Sequence, residues 1–525
     1  MNRRQFIKRS TMACAAVALL PGHLPAQAEK TTVPASSGAA GTRASGKVKV
    51  PDYAKHMRYS DMVGTGPDGK PTGQRATFTG ASKADAKPDP KAPHQMKLTK
   101  EEQDILNGSK GEEMAKVLKI IVEHGNAFGA EKLVDLGGRP HSSLYFGTGY
   151  MKSMINLLKE CADAGLKSYE PYTVNPRPYD VYNVQNNAKD MLFIYEGYAL
   201  NREVDYIHVR LGAPDQNFRS CVCYVDEIGN APKPGTYVAW AESSAVNYGN
   251  SVLGIRTNRN ATGMELLCAM AGKAPYFGLM TDEGRMAKWL IEVKTSKEPN
   301  WAVVGTAIGR KVVEDVPYIT GLDKYFPKGV NNENMHLLKQ MGSASAASGA
   351  VALYHVEGVT PEAKEKGRKL LAKGHKTYVI DDAEQARVLA TFKNLWIEKD
   401  GDPNAAFLGC PHLTYDELLK WGRMVTTSLD LAGKEKAAMP VYLFVANPVR
   451  NRLVEEEGEL ASRMKRAGMR ATNMCMMTYA SMKGFSEKVR GVTNSGKGRN
   501  YSNLRIFPDQ TLVEIIVTGK IPKGA

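Results

Sequence analysis

The stretch Ala405-Ala406-Phe407-Leu408-Gly409-Cys410-Pro411-His412-Leu413-Thr414-Tyr415-Asp416-Glu417 settles the fold class. Four consecutive apolar residues, Ala405 to Leu408, make a short buried strand, because a strand covered on both faces needs no polar alternation. Gly409 and Pro411 end it, and Thr414 with Glu417 three residues on is a capping box that opens a helix. Strand, loop and helix in that order is the repeating unit of α/β proteins with parallel sheets. The unit recurs outward from this point. Strand-like segments at Ala350 to His355, Thr377 to Ile380 and Val441 to Ala446 alternate with helical stretches, one of which starts at Thr360-Pro361-Glu362 with proline in its first turn. Upstream, Thr99 and Glu102 form another capping box, and Met114, Val117, Leu118 and Ile121 keep helical spacing as far as Gly125. In such sheets ligands collect where strands end and helices begin, so the loops at those junctions are the places to search.

The chain has 525 residues, 42% hydrophobic and 24% charged, which is a globular composition with length for a sizeable core. No apolar run approaches the roughly 20 residues that span a bilayer. The formal net charge is +15, but the first 28 residues hold four bases and no acid, and residues 29–97 hold twelve bases against six acids. The remainder is left at about +5, an excess that suits anionic small molecules better than a nucleic-acid stripe. No nucleic-acid-binding module is visible.

Residues 1–28 read as a twin-arginine signal peptide: Arg3-Arg4-Gln5-Phe6-Ile7-Lys8, an apolar stretch from Met12 to Leu20, and small residues at Ala26 and Ala28 ahead of the cleavage point. The expectation is export to a bacterial periplasm by a route that carries folded proteins, often with a cofactor already loaded. Residues 29–97 are rich in Pro, Gly, Ser, Thr, Ala and Lys without periodicity and read as a linker. Gly64, Gly66 and Gly69 match a dinucleotide fingerprint in form only, since no strand precedes them and no helix follows. The folded body is expected over residues 98–525.

Six cysteines remain after Cys14 leaves with the signal peptide. Cys161 and Cys268 sit on apolar helical faces and read as core. Cys221 and Cys223 are two apart in a segment that reads as extended, either a ligand and a bystander or a redox pair. Cys410, in the loop before a capped helix, lies where the positive helix end stabilises a thiolate, which suits a metal ligand or a nucleophile. Cys475 has no decisive local signature. Cys221, Cys410 and Cys475 are 189 and 65 residues apart, so spacing alone does not make them a ligand set, and disulfides are the default alternative for an exported chain.

Six blocks in one order, covering about Lys97 to the carboxyl end, resemble the aconitase X family, the group that includes cis-3-hydroxy-L-proline dehydratases and the large subunit of phosphomevalonate dehydratase. They are Leu98-Thr99-Lys100-Glu101-Glu102 with Gly108 and Gly111; Ala239-Trp240-Ala241-Glu242-Ser243-Ser244-Ala245; Asn250-Ser251-Val252-Leu253-Gly254-Ile255-Arg256-Thr257-Asn258-Arg259; Ser348 to Ala363; Gly409-Cys410-Pro411-His412; and Thr493-Asn494-Ser495-Gly496-Lys497. The resemblance implies an aconitase-like multi-layer α/β/α body without the small swivelling domain, and a hydro-lyase acting on a small hydroxy acid. It implies that Cys221, Cys410 and Cys475 hold an iron-sulfur cluster, 4Fe-4S or 2Fe-2S, whose open iron acts as a Lewis acid. It places Lys497, Ser251 and His141 among the catalytic groups. Asn250, Asn175, Glu242 and Ser243 then line the substrate pocket, with Arg256 as a carboxylate or phosphate clamp. Glu242, Ser243 and Ser244 fit a role in supporting the next loop equally well. His412 either orients the cluster or substrate or simply bonds backbone, and the Ser- and Ala-rich run Gly342 to Gly349 either offers N–H groups to an anion or packs closely.

The chain departs from the family pattern in four places. Cys223 stands where proline is usual, Asn473-Met474 replaces an Asp-Thr pair, Gly498-Arg499-Asn500-Tyr501 replaces an aromatic and a histidine after Lys497, and Leu144-Tyr145 replaces a glycine pattern near His141. The swivelling domain that closes over the site is not in this chain, so a separate small subunit is implied. The competing expectation is an exported, non-catalytic ligand-binding homologue that has lost the cluster.

Overall fold

A computed structural model of the protein describes residues 94–184, 188–213, 219–480 and 489–524. The signal peptide, nearly all of the linker and the Gly64 to Gly69 motif lie outside them.

The first part of the described chain is mainly helical. Helices α1 (Lys100–Leu106) and α2 (Glu112–Ala127) start as the sequence predicts, with a formed capping box at Thr99 and Glu102 and with Val117, Leu118 and Ile121 buried. There follow β1 (Leu133–Asp135), β2 (His141–Ser142), α3 (Lys152–Asp163), β3 (Thr173–Val174), α4 (Ala188–Gly197), α5 (Asn201–Leu211), α6 (Ser243–Tyr248), a π-helical turn at Gly249–Leu253, α7 (Met264–Ala271) and β4 (Lys273–Pro275). β1 pairs antiparallel with β4, and β2 pairs parallel with β3. Cys161 on α3 and Cys268 on α7 are core residues of this part, as their spacing indicated.

The middle part alternates β5 (Ala287–Lys294), α8 (Trp301–Val312), β6 (Pro317–Thr320), α9 (Met335–Ser348), β7 (His355–Val356), α10 (Pro361–Lys366), β8 (Leu371–Asp381) and α11 (Asp382–Ala390). Its four strands are parallel in the order β7-β6-β5-β8. The strand expected over Ala350 to His355 pairs only at its end. Side chains of the first part take the place of a neighbouring strand: Asn247 Nδ2 donates to Val351 O at 2.8 Å, Asn250 Nδ2 to Ala352 O at 3.1 Å, and Tyr354 N donates to Ser251 Oγ at 2.9 Å.

The last part comprises β9 (Ala405–Leu413), α12 (Tyr415–Leu431), β10 (Val441–Val445), α13 (Asn447–Glu456), α14 (Gly458–Arg466), β11 (Met469–Thr472), α15 (Met476–Ala480), β12 (Gly491–Thr493), α16 (Gly496–Tyr501), β13 (Arg505–Ile506) and α17 (Asp509–Thr518). The five strands are parallel in the order β11-β10-β9-β12-β13. Ala406, Leu408, Val441 and Leu443 face one core and Ala405, Phe407, Tyr442 and Phe444 another, which is why β9 and β10 are apolar without alternation. From β9 the chain builds outward to β10 and β11, then crosses back to lay β12 on the other side of β9. The switch point therefore falls between β9 and β12, and the crevice beyond their carboxyl ends is where this topology binds ligands.

The Ser- and Ala-rich run of α9 is a packing surface. A Cβ at Gly305 on α8 would stand 2.1 Å from Met341 O on α9, and one at Gly496 on α16 would stand 2.8 Å from Ala344 Cβ. The absent side chains let α8, α9 and α16 approach to backbone contact. Among the described residues no helix is long and apolar enough to cross a membrane. Gly305→Ala pushes a methyl into a fixed carbonyl and is expected to lower unfolding free energy by about 1–3 kcal/mol, the range of overpacked cores, read as a fall in denaturation midpoint.

Candidate functional site

Three of the expected residues lie toward the carboxyl ends of the five-stranded sheet: Cys410 inside β9, where the register with β10 shifts between Leu408 and Leu413 and the loop expected from the sequence is part of the strand, Cys475 after β11 and Lys497 after β12. Cys221 reaches them from the first part of the chain. The three thiols sense one another and Lys497 electrostatically. All six cysteines of the described residues are free. Burial pushes each of the three thiols up, Cys221 to about 12, with neighbouring thiols adding to the rise at Cys221 and Cys410 and the Lys497 ammonium opposing it at all three.

His412 ties the cysteine loops together. Its backbone N–H donates to Cys221 Sγ at 3.4 Å, its Nδ1 meets Ser220 Oγ at 3.2 Å, and its Nε2 meets Met474 O, the residue before Cys475, at 3.1 Å. Its own carbonyl accepts from Lys339 Nζ at 2.7 Å, and Lys339 is also paired with Glu417 of the α12 capping box. Of the two roles open for His412, the geometry shows the backbone-bonding one, with Met474 O on one ring nitrogen and Ser220 Oγ on the other. Ser495 adds a fourth tie, its hydroxyl donating to Cys410 O and accepting from Gly498 N at 2.9 Å. Asn473, where the family carries aspartate, donates its amide to Arg219 O at 2.8 Å, a bond a carboxylate cannot make.

Lys497 and Glu242 form a buried ion pair at the centre of the site. The ammonium also donates to Ser243 Oγ and Ser244 Oγ, each at 3.1 Å. Glu242 accepts from Ser244 N at 3.1 Å, Ala245 N at 2.8 Å and Ser244 Oγ at 2.6 Å, capping α6. It does so with φ at 81°, a left-handed conformation that costs a non-glycine residue of order 1–3 kcal/mol and is typical of functional sites. Burial opposes the carboxylate, but Lys497 and the donors win and hold Glu242 at about 2. For Lys497 burial opposes the charge, and Glu242 with the thiols of Cys410 and Cys221 more than restores it, so the amine stays protonated well above its usual range.

The other expected residues stand elsewhere or do other work. His141 is buried, with Nδ1 at 2.9 Å from Thr173 Oγ1 and Nε2 at 3.1 Å from Asn175 Oδ1, and burial lowers it to about 4. An amide oxygen only accepts, so Nε2 carries the proton and the neutral ring positions Asn175. Its backbone meanwhile pairs with Ala239 and Ala241 beside Glu242. Asn250 is saturated by Thr257, Ala352 and Arg285, and Ser251 holds Tyr354. Arg256 pairs with Asp282 and bonds Met280 O at 3.0 Å. Asn250 and Arg256 thus join a separate network with Arg285 and Glu362, and the expected anion clamp is already paired with the carboxylates of Asp282 and Glu362. The Cys221 to Cys223 segment is a series of turns, not extended, and Cys223 turns into the core toward Thr173, so the redox-pair reading finds no support.

Sequence reasoning gave no site role to Tyr145, which neighbours the Cys475 thiol, or to Tyr501, which neighbours Lys497. The only signal for either was its departure from the family pattern. Removing one member of the buried pair strands the other, so Glu242→Gln or Lys497→Met is expected to cost about 3–5 kcal/mol in denaturant unfolding, and the double variant less than the sum. Glu242 lies below its unfolded value of 4.5, so its contribution is complete above that pH and is lost as pH falls toward 2; Glu242→Gln should remove that part of the acid-unfolding profile.

Residues 95–283, 287–390 and 403–512 match the Aconitase X first, second and third domains. The phosphomevalonate dehydratase large subunit of Methanothermobacter thermautotrophicus is 31% identical over 416 residues, covering 77% of this chain and 93% of that protein. That of Thermococcus kodakarensis is 29% identical over 409 residues, covering 77% and 95%. The cis-3-hydroxy-L-proline dehydratase of Pseudomonas aeruginosa is 30% identical over 267 residues, 50% of this chain and 43% of that protein. The crystal structure of Thermococcus kodakaraensis aconitase X in its holo-form superposes with a TM-score of 0.65 at 27% identity, covering 81% of this chain and all of that one.

Proposed function

Because this chain belongs to the aconitase X family, we propose that it is a hydro-lyase that removes water from a small hydroxy acid at the site built by Cys221, Cys410, Cys475 and Lys497. It is an enzyme of the lyase class by its relatives, which are named dehydratases of phosphomevalonate and of cis-3-hydroxy-L-proline. The observation that carries the reading is the convergence of three free thiols from distant segments beside a protonated lysine at the sheet's switch point.

Three soft sulfur donors in one place fit an iron-sulfur cluster, either 4Fe-4S or 2Fe-2S. Among the described residues no three Cys, His, Asp or Glu side chains close on a single metal ion. A cluster spreads its ligands over several irons and so spaces them more widely than a lone ion does. Cys221, Cys410 and Cys475 would supply three of the four sulfur donors such a cluster usually has, and the iron position left open would supply a Lewis acid for the departing hydroxyl. The chain's own groups do the rest. Lys497, kept cationic by Glu242, binds a carboxylate or phosphate oxygen rather than taking up a proton, and Ser243 and Ser244 fix its direction. The relatives named as large subunits match this chain over most of their length, which supports a separate small subunit as the lid that excludes water. Arg3-Arg4 with Phe6 and Lys8 supports twin-arginine export to the periplasm with the cofactor already in place.

The test is iron, acid-labile sulfide and an EPR spectrum on the full chain purified without oxygen, beside Cys410→Ala. Stoichiometric iron and sulfide in the wild type and their loss in the variant are expected. A wild type that stays metal-free after reconstitution overturns the reading and leaves the ligand-binding homologue. For export, Arg3→Lys with Arg4→Lys is expected to hold the precursor in the cytoplasm, read by fractionation; unchanged periplasmic recovery would refute the twin-arginine assignment.

A further inference from the structure

The stretch that carries Cys410 is not held as the rest of β9 is. Leu408 pairs with Leu443 of β10 and Leu413 with Val445, so the four residues from Gly409 to His412 stand against a single residue of β10. On the other side, pairing with β12 ends at Phe407. An interrupted ladder leaves backbone groups in need of other partners, and side chains from three distant segments supply them. Ser495 Oγ donates to Cys410 O, Cys221 Sγ accepts from His412 N, and Lys339 Nζ donates to His412 O at 2.7 Å.

Lys339 belongs to α9 and is 2% exposed. Its Nζ also pairs with Glu417 Oε2, which accepts from Thr414 N at 2.9 Å in the α12 capping box, and Gln340 Nε2 reaches Glu417 Oε1 at 3.4 Å. The helix behind this contact is fixed. A Cβ at Gly342 would stand 2.1 Å from Asn247 Oδ1 of α6, and one at Gly496 of α16 stands 2.8 Å from Ala344 Cβ. A small cleft lies between α9 and the Cys410 stretch, lined by Lys339, Gln340, Ser343, Cys410, Asn494 and Ser495. The link between them is therefore a polar contact beside a gap in the packing.

We infer that Lys339 is a positioning residue for the site: by bonding the His412 carbonyl it fixes the Gly409 to His412 stretch, and through His412 the three thiols that meet there, to the helix against which α6 and α16 pack. The inference rests on the reading of those thiols as ligands of one centre. A buried ion pair is by itself weak ground for a lysine, since an apolar pair of similar volume often serves stability as well. The carbonyl is the partner that no apolar residue replaces, because a buried acceptor left without a donor keeps its full desolvation cost. The effect of losing that bond is local, loosening the Cys410 stretch without unfolding the rest.

The experiment compares the full chain with Lys339→Met, with the double variant Lys339→Met/Glu417→Leu, and with the control Lys420→Met, which breaks an exposed pair between α12 and Asp509. The alkylation rate of each cysteine is read by mass spectrometry on the metal-free chain, beside denaturant unfolding, and the EPR and visible spectra are read after reconstitution with iron and sulfide. In both Lys339 variants Cys221, Cys410 and Cys475 are expected to react about two- to tenfold faster, the weight of one hydrogen bond, while Cys161 and Cys268 in the core keep their rates. The double variant buries no lone charge and is expected to unfold near the wild-type midpoint, yet to keep the faster thiols and an altered cluster spectrum. Lys420→Met changes none of these. Wild-type rates at the three thiols in the double variant overturn the role of Lys339, and so does a rise shared equally by Cys161 and Cys268, which marks a general loosening. A wild type that does not load iron overturns the cluster reading, while the metal-free rates still decide the role of Lys339. If Lys339→Met does not fold because Glu417 is left unpaired, the double variant carries the measurement.

Discussion

The ion pair between Lys497 and Glu242 joins two points 255 residues apart, and the rest of the site depends on it. Taking both charges out of water costs several kcal/mol per ion, which the Coulomb attraction repays only if the remaining donors and acceptors are also satisfied. Here they are: the carboxylate takes two backbone N–H groups and a hydroxyl from the start of α6, and the ammonium takes two serine hydroxyls. To aim the carboxylate both at its own helix and at Lys497, the backbone at Glu242 adopts an unfavourable conformation. The small residues of α9 then let the α16 turn come close enough to close the pair. Strain, tight packing and charge are one arrangement, and loosening any of them exposes the others.

The thiols are organised by a different device. Cys221, Cys410 and Cys475 form no disulfide, and their loops meet at His412, which spends both ring nitrogens and its backbone N–H on the other two segments. Because burial keeps this imidazole neutral, lowered to about 4, its bonds do not change through the neutral pH range. The His412 ring bonds that tie the thiol loops are thus uncharged, while two ion pairs lie beside them: Lys339 with Glu417, which holds the His412 carbonyl, and Lys497 with Glu242.

Much of this was legible locally. The apolar run at Ala405 to Leu408, the capping boxes at Thr99 and Thr414 and the proline at the start of α10 each record a short-range rule, and each appears where the rule places it. What failed depended on distant partners. Ala350 to His355 has strand composition, but side chains of α6 and the π-helical turn, about a hundred residues upstream, take its backbone groups. Asn250, Ser251 and Arg256 look like a binding motif because polar residues in a conserved-looking block read the same whether they face a ligand or hold two parts of a chain together. His141 fell to the same ambiguity, since only the structure shows Thr173 and Asn175 on its two nitrogens. Cys221, Cys410, Cys475, Lys497 and Glu242 were placed together through family resemblance, as their spacing carries no such information.

The wide spacing of the site residues also sets an order of events during synthesis. A first thiol at residue 221, a counter-charge at 242, further thiols at 410 and 475 and the lysine at 497 mean that 497 of 525 residues must be made before the last member exists. Closing loops of that length brings little reward until the five-stranded sheet is in place, with β12 inserted beside β9 from late in the chain. No nascent fragment offers a partial version of the site, so whatever loads it meets either an unfinished chain without a binding centre or a finished one. The architecture acts as its own inspection step, assembling the site only in molecules whose last strands are already in place.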